Sequence, residues 1–140
     1  MGLTVYTGGT FDLFHSGHSN FLRECAQYGQ VIVSLNTDEF IADYKGKPPV
    51  IRYADRARVL QSCKYVSKVI PNIGGANSKL AIEQVMPNII AIGSDWATKD
   101  YHAQMGFTQE WLDERLISLL YIPYTPGIST TEIKKRLRNA

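Results

Sequence analysis

Two histidines with a glycine between them follow a glycine pair in the run Gly8-Gly9-Thr10-Phe11-Asp12-Leu13-Phe14-His15-Ser16-Gly17-His18. Where a strand delivers the chain to a sheet edge, glycines let backbone amides approach a polyphosphate closely. On a helical turn the three-residue spacing brings His15 and His18 to one side, near the helix N-terminus. Imidazoles so placed can donate hydrogen bonds to phosphoryl oxygens whose charge grows in a transition state. A histidine pair can also be structural or ligate a transition metal. The sequence offers no local third and fourth ligand, however, and only phosphate recognition accounts for the glycines as well.

A second anion-binding candidate lies at the far end of the chain. Ser129 is placed to cap a helix from Thr130 to about Leu137, Glu132 stands three positions on to complete a capping box, and Ile128 can staple onto Ile133. Besides closing the chain, the free amides of such a helix start, with Ser129 and Thr130, can hold a phosphate. Between the two candidates lie Lys45, Lys47 and Arg56. They belong either to a solvated surface or beside a triphosphate, where their charge would orient it and compensate the charge moving onto pyrophosphate. Arg52 is an alternative to Arg56.

These groups need a scaffold, and the bulk properties supply one. The chain has 140 residues, the size of one compact domain with a real core, so residues 1–140 are expected to form a single domain. A hydrophobic share of 44% against 20% charged argues against disorder and fibrous architectures. The formal charge of +2 is too small an excess for a nucleic-acid partner, yet it suits a local pocket for anionic metabolites. Cys25 and Cys63 stand among apolar residues and read as reduced core side chains. Apolar runs such as Ile117 to Ile122 are too short to cross a bilayer, and a first strand starting almost at Met1 leaves no room for a leader. The expectation is a cytoplasmic protein without membrane insertion.

The periodicity alternates strand and helix. Leu3 to Tyr6 reads as a buried strand, the glycines close a turn, and a helix carries Phe21, Leu22, Cys25 and Ala26 on one face to Gly29. Val31 to Leu35 is a strand, Asp43 to Ile51 with Pro48-Pro49 a loop, and Tyr53 to Cys63 a helix. Val66 to Ile70 follows as a strand, Ser78 caps a helix through Val85, and Ile89 to Ile92 is a buried strand. Thr98 to Gly106 is irregular, Thr108 leads a helix through Leu116, and Leu119 to Ile122 is the last strand. The alternation favours one parallel sheet covered on both faces.

Thr10-Phe11-Asp12 followed by His15-Ser16-Gly17-His18 resembles the HxGH signature of the cytidylyltransferase-like nucleotidyltransferase superfamily, in its glycerol-3-phosphate cytidylyltransferase form. Gly93-Ser94-Asp95-Trp96 and Gly127-Ile128-Ser129-Thr130-Thr131 resemble the other two nucleotide-site motifs of that form, in the same order. Asn36-Thr37-Asp38-Glu39-Phe40 and Tyr53-Ala54-Asp55-Arg56 resemble further segments, so the likeness spans nearly the whole chain. Tyr124 stands where the pattern carries an arginine, Ser94 where it carries an acid, and the stretch between Trp96 and Leu116 is longer than in the simplest members.

The resemblance implies a Rossmann-like α/β domain with a central parallel sheet covered by helices. It implies attack by a phosphorylated alcohol, glycerol 3-phosphate or a related polyol phosphate, on the alpha phosphorus of CTP, giving a CDP-alcohol and pyrophosphate. His15 and His18 would act as phosphate donors with Lys45 and Lys47, and the anionic acceptor would need no general base. Gly8, Gly9, Thr10 and Phe11 would form the phosphate site. Asp12 would organise it through magnesium carried mainly on the triphosphate, no metal being held by the protein alone. Arg56 would clamp the joined phosphates with its planar guanidinium. Asp95 and Trp96 would lie near sugar and base, and Thr125, Gly127, Ile128, Ser129 and Thr130 would hold phosphate at the terminal helix. A homodimer is implied as well. Two other readings fit the same residues: an adenylyltransferase using ATP with a phosphorylated cofactor precursor or sugar, and a nucleotide-binding regulatory protein that has lost transfer. Residues 100–106 read as an acceptor lid, an oligomer contact or a surface connection, and Phe107 and Trp111 as core.

Overall fold

Val5 and Tyr6 are neighbours in the chain and both are buried, yet they face different cores. This is the period-two alternation of a strand covered on both sides. The computed structural model, which describes residues 2–140, places them in β1 (Thr4–Gly9) at the centre of a five-stranded sheet ordered β3-β2-β1-β4-β5. The other strands are β2 (Gln30–Leu35), β3 (Lys68–Pro71), β4 (Ile89–Gly93) and β5 (Ser118–Ile122). All pairings are parallel, with Val5 opposite Val31 and Ile89, Val33 opposite Val69, and Ile90 opposite Leu119. This is the Rossmann-like parallel α/β sheet anticipated above.

On one face, Val5, Val31, Val33, Leu35 and Ala91 pack with Leu22 and Cys25 of α1 (Ser16–Ala26) and with Ala57 and Leu60 of α3 (Tyr53–Ser62). On the other, Tyr6 and Ile90 meet Ala81 and Ile82 of α4 (Lys79–Val85), Tyr101 of α5 (Tyr101–Met105) and Leu112 of α6 (Gln109–Glu114). Cys25 is buried, Cys63 is half-buried and both are free thiols. No helix among the described residues is long and apolar enough to cross a membrane.

The structure corrects the sequence reading in four places. The glycine pair does not close the first turn: Gly8 and Gly9 stay in β1, paired with Ser34 and Leu35. The reversal comes instead from Phe11 and Leu13, whose φ values of 50° and 53° are left-handed. A helix, α2 (Asp38–Lys45), forms where a loop was expected from Asp43. Thr37 caps it through the amide of Phe40, and it ends at Gly46. Ser78 precedes α4 but makes no cap. Its hydroxyl and amide both donate to the carbonyl of Met105, pinning residues 101–106 against α4. Tyr101 and Phe107, at the two ends of that stretch, are buried in the second core, and Trp111 stacks on Phe107 at 5.9 Å, as the core reading of Phe107 and Trp111 expects. Finally, the capping box expected at α7 (Thr130–Arg138) is half-made. Ser129 accepts the Glu132 amide at 3.0 Å, but the Glu132 carboxylate turns to Arg136, one helical turn on, at 3.4 Å.

Candidate functional site

A complete reciprocal capping box exists in the protein, and the two histidines make it. His15 is the N-cap of α1, and its Nδ1 accepts the amide of Gly17 at 3.1 Å. His18, three residues on, returns the bond: its Nδ1 accepts the amide of His15 at 3.1 Å. A backbone N–H can only donate, so both Nδ1 atoms are acceptors, and a neutral ring must carry its proton on Nε2. The rings stack with centroids 3.8 Å apart. Burial, reinforced by neighbouring His15, pulls the His18 pKa from 6.5 to about 4 against the opposing pull of Asp12, and burial lowers His15 too. At neutral pH the pair is thus uncharged, with two Nε2–H donors, that of His15 already facing the Thr130 hydroxyl oxygen at a long 3.5 Å.

The glycine of the motif has a steric reason. A Cβ on Gly17 would lie 2.9 Å from His15 Cε1 and 3.0 Å from its Nδ1, so only glycine lets the ring fold back over the helix start.

Both rings line a cavity of about 710 Å³ at the carboxyl ends of β1 and β4. Ligand crevices of parallel α/β sheets open at this edge. Gly8, Gly9, Thr10 and Phe11 form its floor, and Thr125, Gly127, Ile128, Ser129 and Thr130 close the opposite side. Residues more than a hundred positions apart are tied together here: Asn20 donates to the Thr125 hydroxyl at 3.0 Å, and the Thr130 hydroxyl donates to the Asp12 carbonyl at 2.9 Å. That bond uses the only proton of the Thr130 hydroxyl. What the start of α7 can still offer an anion is its first backbone amides, which no intrahelical acceptor satisfies.

A smaller adjoining cavity of about 150 Å³ shares Thr10, Phe11, His18 and Thr130 with the first and is lined by Lys45, Lys47 and Lys134. Lys134 was missed in the sequence because it reads as one of several surface cations on α7. The signal was its place one helical turn after Thr130, on the face that carries the helix start.

Three expected residues do not join the cavity. Arg56 is 2% exposed, and its guanidinium is spent on the protein: Nε donates to the Ile51 carbonyl, Nη1 to the Thr10 carbonyl and Nη2 to Asp38, each at 2.8 Å. It is a strut joining the first turn to α2 and α3, not a free fork for phosphate. Trp96 packs into the second core against Tyr101, and Asp95, paired with Lys99 at 3.3 Å, lies beside Tyr124. The residue that does line the cavity there is Tyr124. A Cβ on Gly93 would come within 2.6 Å of the Tyr124 ring, so the glycine makes room for tyrosine as a wall. Although Tyr124 is 62% exposed, partial desolvation of its hydroxyl, with Asp95 nearby, pushes that phenol up to about 12, so it is a neutral donor.

The carboxylate of Asp12 is likewise committed. It accepts the amides of Leu13, Val50 and Ile51 at 2.7 to 3.1 Å, fastening the lysine-bearing loop beneath the first turn. Among the described residues no group of three or more His, Cys, Asp or Glu side chains could hold a metal. Asp12 is the carboxylate lining the smaller cavity, and its oxygens already accept three backbone amides, so it offers a magnesium ion at most one engaged ligand.

Comparison with known proteins places this geometry. The cytidylyltransferase-like family matches residues 6–136. The chain is 34% identical to glycerol-3-phosphate cytidylyltransferase of Staphylococcus aureus, over 95% of its own length and 93% of that protein's. It is 31% identical to FAD synthase of Pyrococcus horikoshii, over 96% and 92%. The two likenesses are of one order, so the glycerol-3-phosphate form is not singled out. The fold matches the crystal structure of the lipopolysaccharide core biosynthesis protein from Thermoplasma volcanium with a TM-score of 0.70, at 23% identity, over 89% of this chain and 98% of that one.

Proposed function

The chain belongs to the cytidylyltransferase-like family, and from that premise we propose that it is an adenylyltransferase, joining ATP to the phosphate of a phosphorylated cofactor precursor or sugar. Nucleotidyl transfer to a phosphorylated small molecule is the activity that the family membership supports. The observation that carries the reading is the capping box itself, which turns both Nε2–H groups to the wall of the larger cavity as neutral donors, His15's within 3.5 Å of the Thr130 hydroxyl oxygen that lines the same cavity.

In this reading an acceptor phosphate oxygen attacks the alpha phosphorus, the bond to the bridging oxygen breaks, and pyrophosphate leaves with the electron pair. The acceptor is already anionic, so no side chain has to remove a proton. The two Nε2–H groups and the first amides of α7 stabilise the charge gathering on the phosphoryl oxygens. Lys45 and Lys47, at the smaller cavity, hold the departing pyrophosphate. Magnesium belongs to this reading as a companion of the triphosphate, with no cage supplied by the chain. A homodimer and a cytoplasmic setting go with it.

Tyr124 favours ATP over CTP as donor. It stands where the cytidylyltransferase pattern carries arginine, which replaces a fixed charge by a neutral ring on the wall of the cavity that Ile92 and Phe21 also line. A relative named for making FAD, an adenine dinucleotide, matches over the same length as one named for cytidylyl transfer. That second relative keeps CTP with glycerol 3-phosphate as the other reading. Purified protein incubated with ATP or CTP and a panel of phosphorylated sugars, cofactor precursors and polyols separates them. The expected result is pyrophosphate release with ATP and an adenylylated product by mass spectrometry. A cytidylylated product alone would establish the second reading, and tight nucleotide binding without turnover under any pairing would make the protein a nucleotide-binding regulator.

A further inference from the structure

Thr10, Asn36 and Asn72 each stand one residue past the end of a strand, β1, β2 and β3, which lie side by side in the sheet. The ladder continues through them, since the amide of Asn36 donates to Gly9 O and that of Asn72 to Leu35 O, both at 2.9 Å. Their side chains form a row with only one possible direction. The Gly75 carbonyl can only accept, so the group facing it at 3.2 Å is the Asn72 Nδ2. The same Nδ2 donates to Asn36 Oδ1 at 3.0 Å, which turns the Asn36 amide so that its Nδ2 faces Thr10 Oγ1 at 3.1 Å. The buried Oδ1 of Asn72 has no donor. That loss is tolerated because the flipped amide would set its oxygen against two others.

Thr10 Oγ1 is therefore an acceptor toward the protein, and its one proton is left over. The Thr10 carbonyl is held by Arg56, so the backbone cannot turn away, and Thr10 lines both cavities. We infer that Asn72 and Asn36 are positioning residues that make the Thr10 hydroxyl an obligate donor to a phosphoryl oxygen at the junction of the two cavities. The contrast is Thr130, whose hydroxyl proton is spent on Asp12. The inference rests on the nucleotidyl-transfer reading and adds a polarity that the motif residues do not specify.

The test is a double-mutant cycle read by calorimetric binding of inorganic tripolyphosphate, ATP and CTP, alongside kcat and KM. Asn36→Asp presents an acceptor to Thr10 and draws its proton inward. It should weaken tripolyphosphate binding about ten-fold in the native background and change it less than two-fold in a Thr10→Val background, whereas Thr10→Ser should bind as the native protein does. A loss from Asn36→Asp that is equal in both backgrounds, as its added charge alone would produce, overturns the inference while leaving nucleotidyl transfer intact. If the native protein binds none of the three ligands, the functional reading and the inference fall together. Asn72→Asp carries the same cycle should Asn36→Asp not fold.

Discussion

The Nδ1 of His18 accepts the backbone amide of His15 while the Nδ1 of His15 accepts that of Gly17, so one pair of side chains both starts a helix and faces a ligand cavity. His18 has one nitrogen for the fold and one for chemistry, and the two tasks can be separated by mutation. Asparagine at position 18 can present an oxygen where Nδ1 stands but has nothing in place of Nε2. His18→Asn should keep the unfolding free energy within about 0.5 kcal/mol of the native protein and lower kcat at least a hundred-fold. His18→Ala should lose a comparable rate and about 1 kcal/mol of stability besides. Equal stability of the two variants would remove the capping role.

Gly17→Ala probes the same motif from the backbone. Its Cβ would strike the His15 ring at 2.9 to 3.0 Å, with Ile128 on the far side at 3.4 Å, so the ring must leave its cap. The expected cost is about 1 to 2 kcal/mol in denaturant unfolding, with loss of nucleotide binding. Native-like affinity would show that the ring can cap without folding over position 17.

The pH dependence has a definite sign. Unfolded His18 takes up its proton near 6.5, but folded His18 not until about 4. Between those values the unfolded state binds more protons, so stability falls as the pH drops from 6.5 towards 4. Above 6.5 both states are neutral and the contribution vanishes. Its full size is on the order of 3 kcal/mol. Melting curves from pH 7.5 to 4.5 should show the native protein losing more stability than His18→Asn; parallel curves would refute the assignment.

Arg56 should behave as a structural residue. Arg56→Gln orphans the carbonyls of Thr10 and Ile51 and the carboxylate of Asp38, at a cost of about 3 kcal/mol or more. Arg56→Lys restores the charge but not the three-way fork, and most of the loss should remain. A variant of native stability whose only defect is a raised KM for the triphosphate would return Arg56 to the phosphates.

Lys134 is half-buried at the smaller cavity, beside Lys45 and Lys47. Lys134→Ala should raise the KM for the triphosphate several-fold at low salt, with the difference shrinking as ionic strength rises, and should alter stability by less than about 0.5 kcal/mol. An unchanged KM at low salt would place its ammonium in solvent.

The sequence by itself determined the α/β alternation, the parallel sheet and the segments that meet at the cavity, because period-two and helical patterning, glycines and helix starts are local signals. It placed His15, His18, Ser129 and Thr130 at helix starts for the same reason. Which donors stay free was settled only by tertiary contacts, since a side chain's role depends on partners far along the chain. Arg56 looks like a phosphate clamp until Asp38 and the Thr10 and Ile51 carbonyls consume its fork. Trp96 looks like a base platform until α5 draws it into the second core. Lys134 looks like solvated surface until the start of α7 docks on Asp12 and carries it to the lysines of the 45–47 segment. Spacing in a sequence can bring the right residue types to one edge of a sheet. Only packing decides which hydrogen bonds are already made, and hence which atoms remain for a ligand.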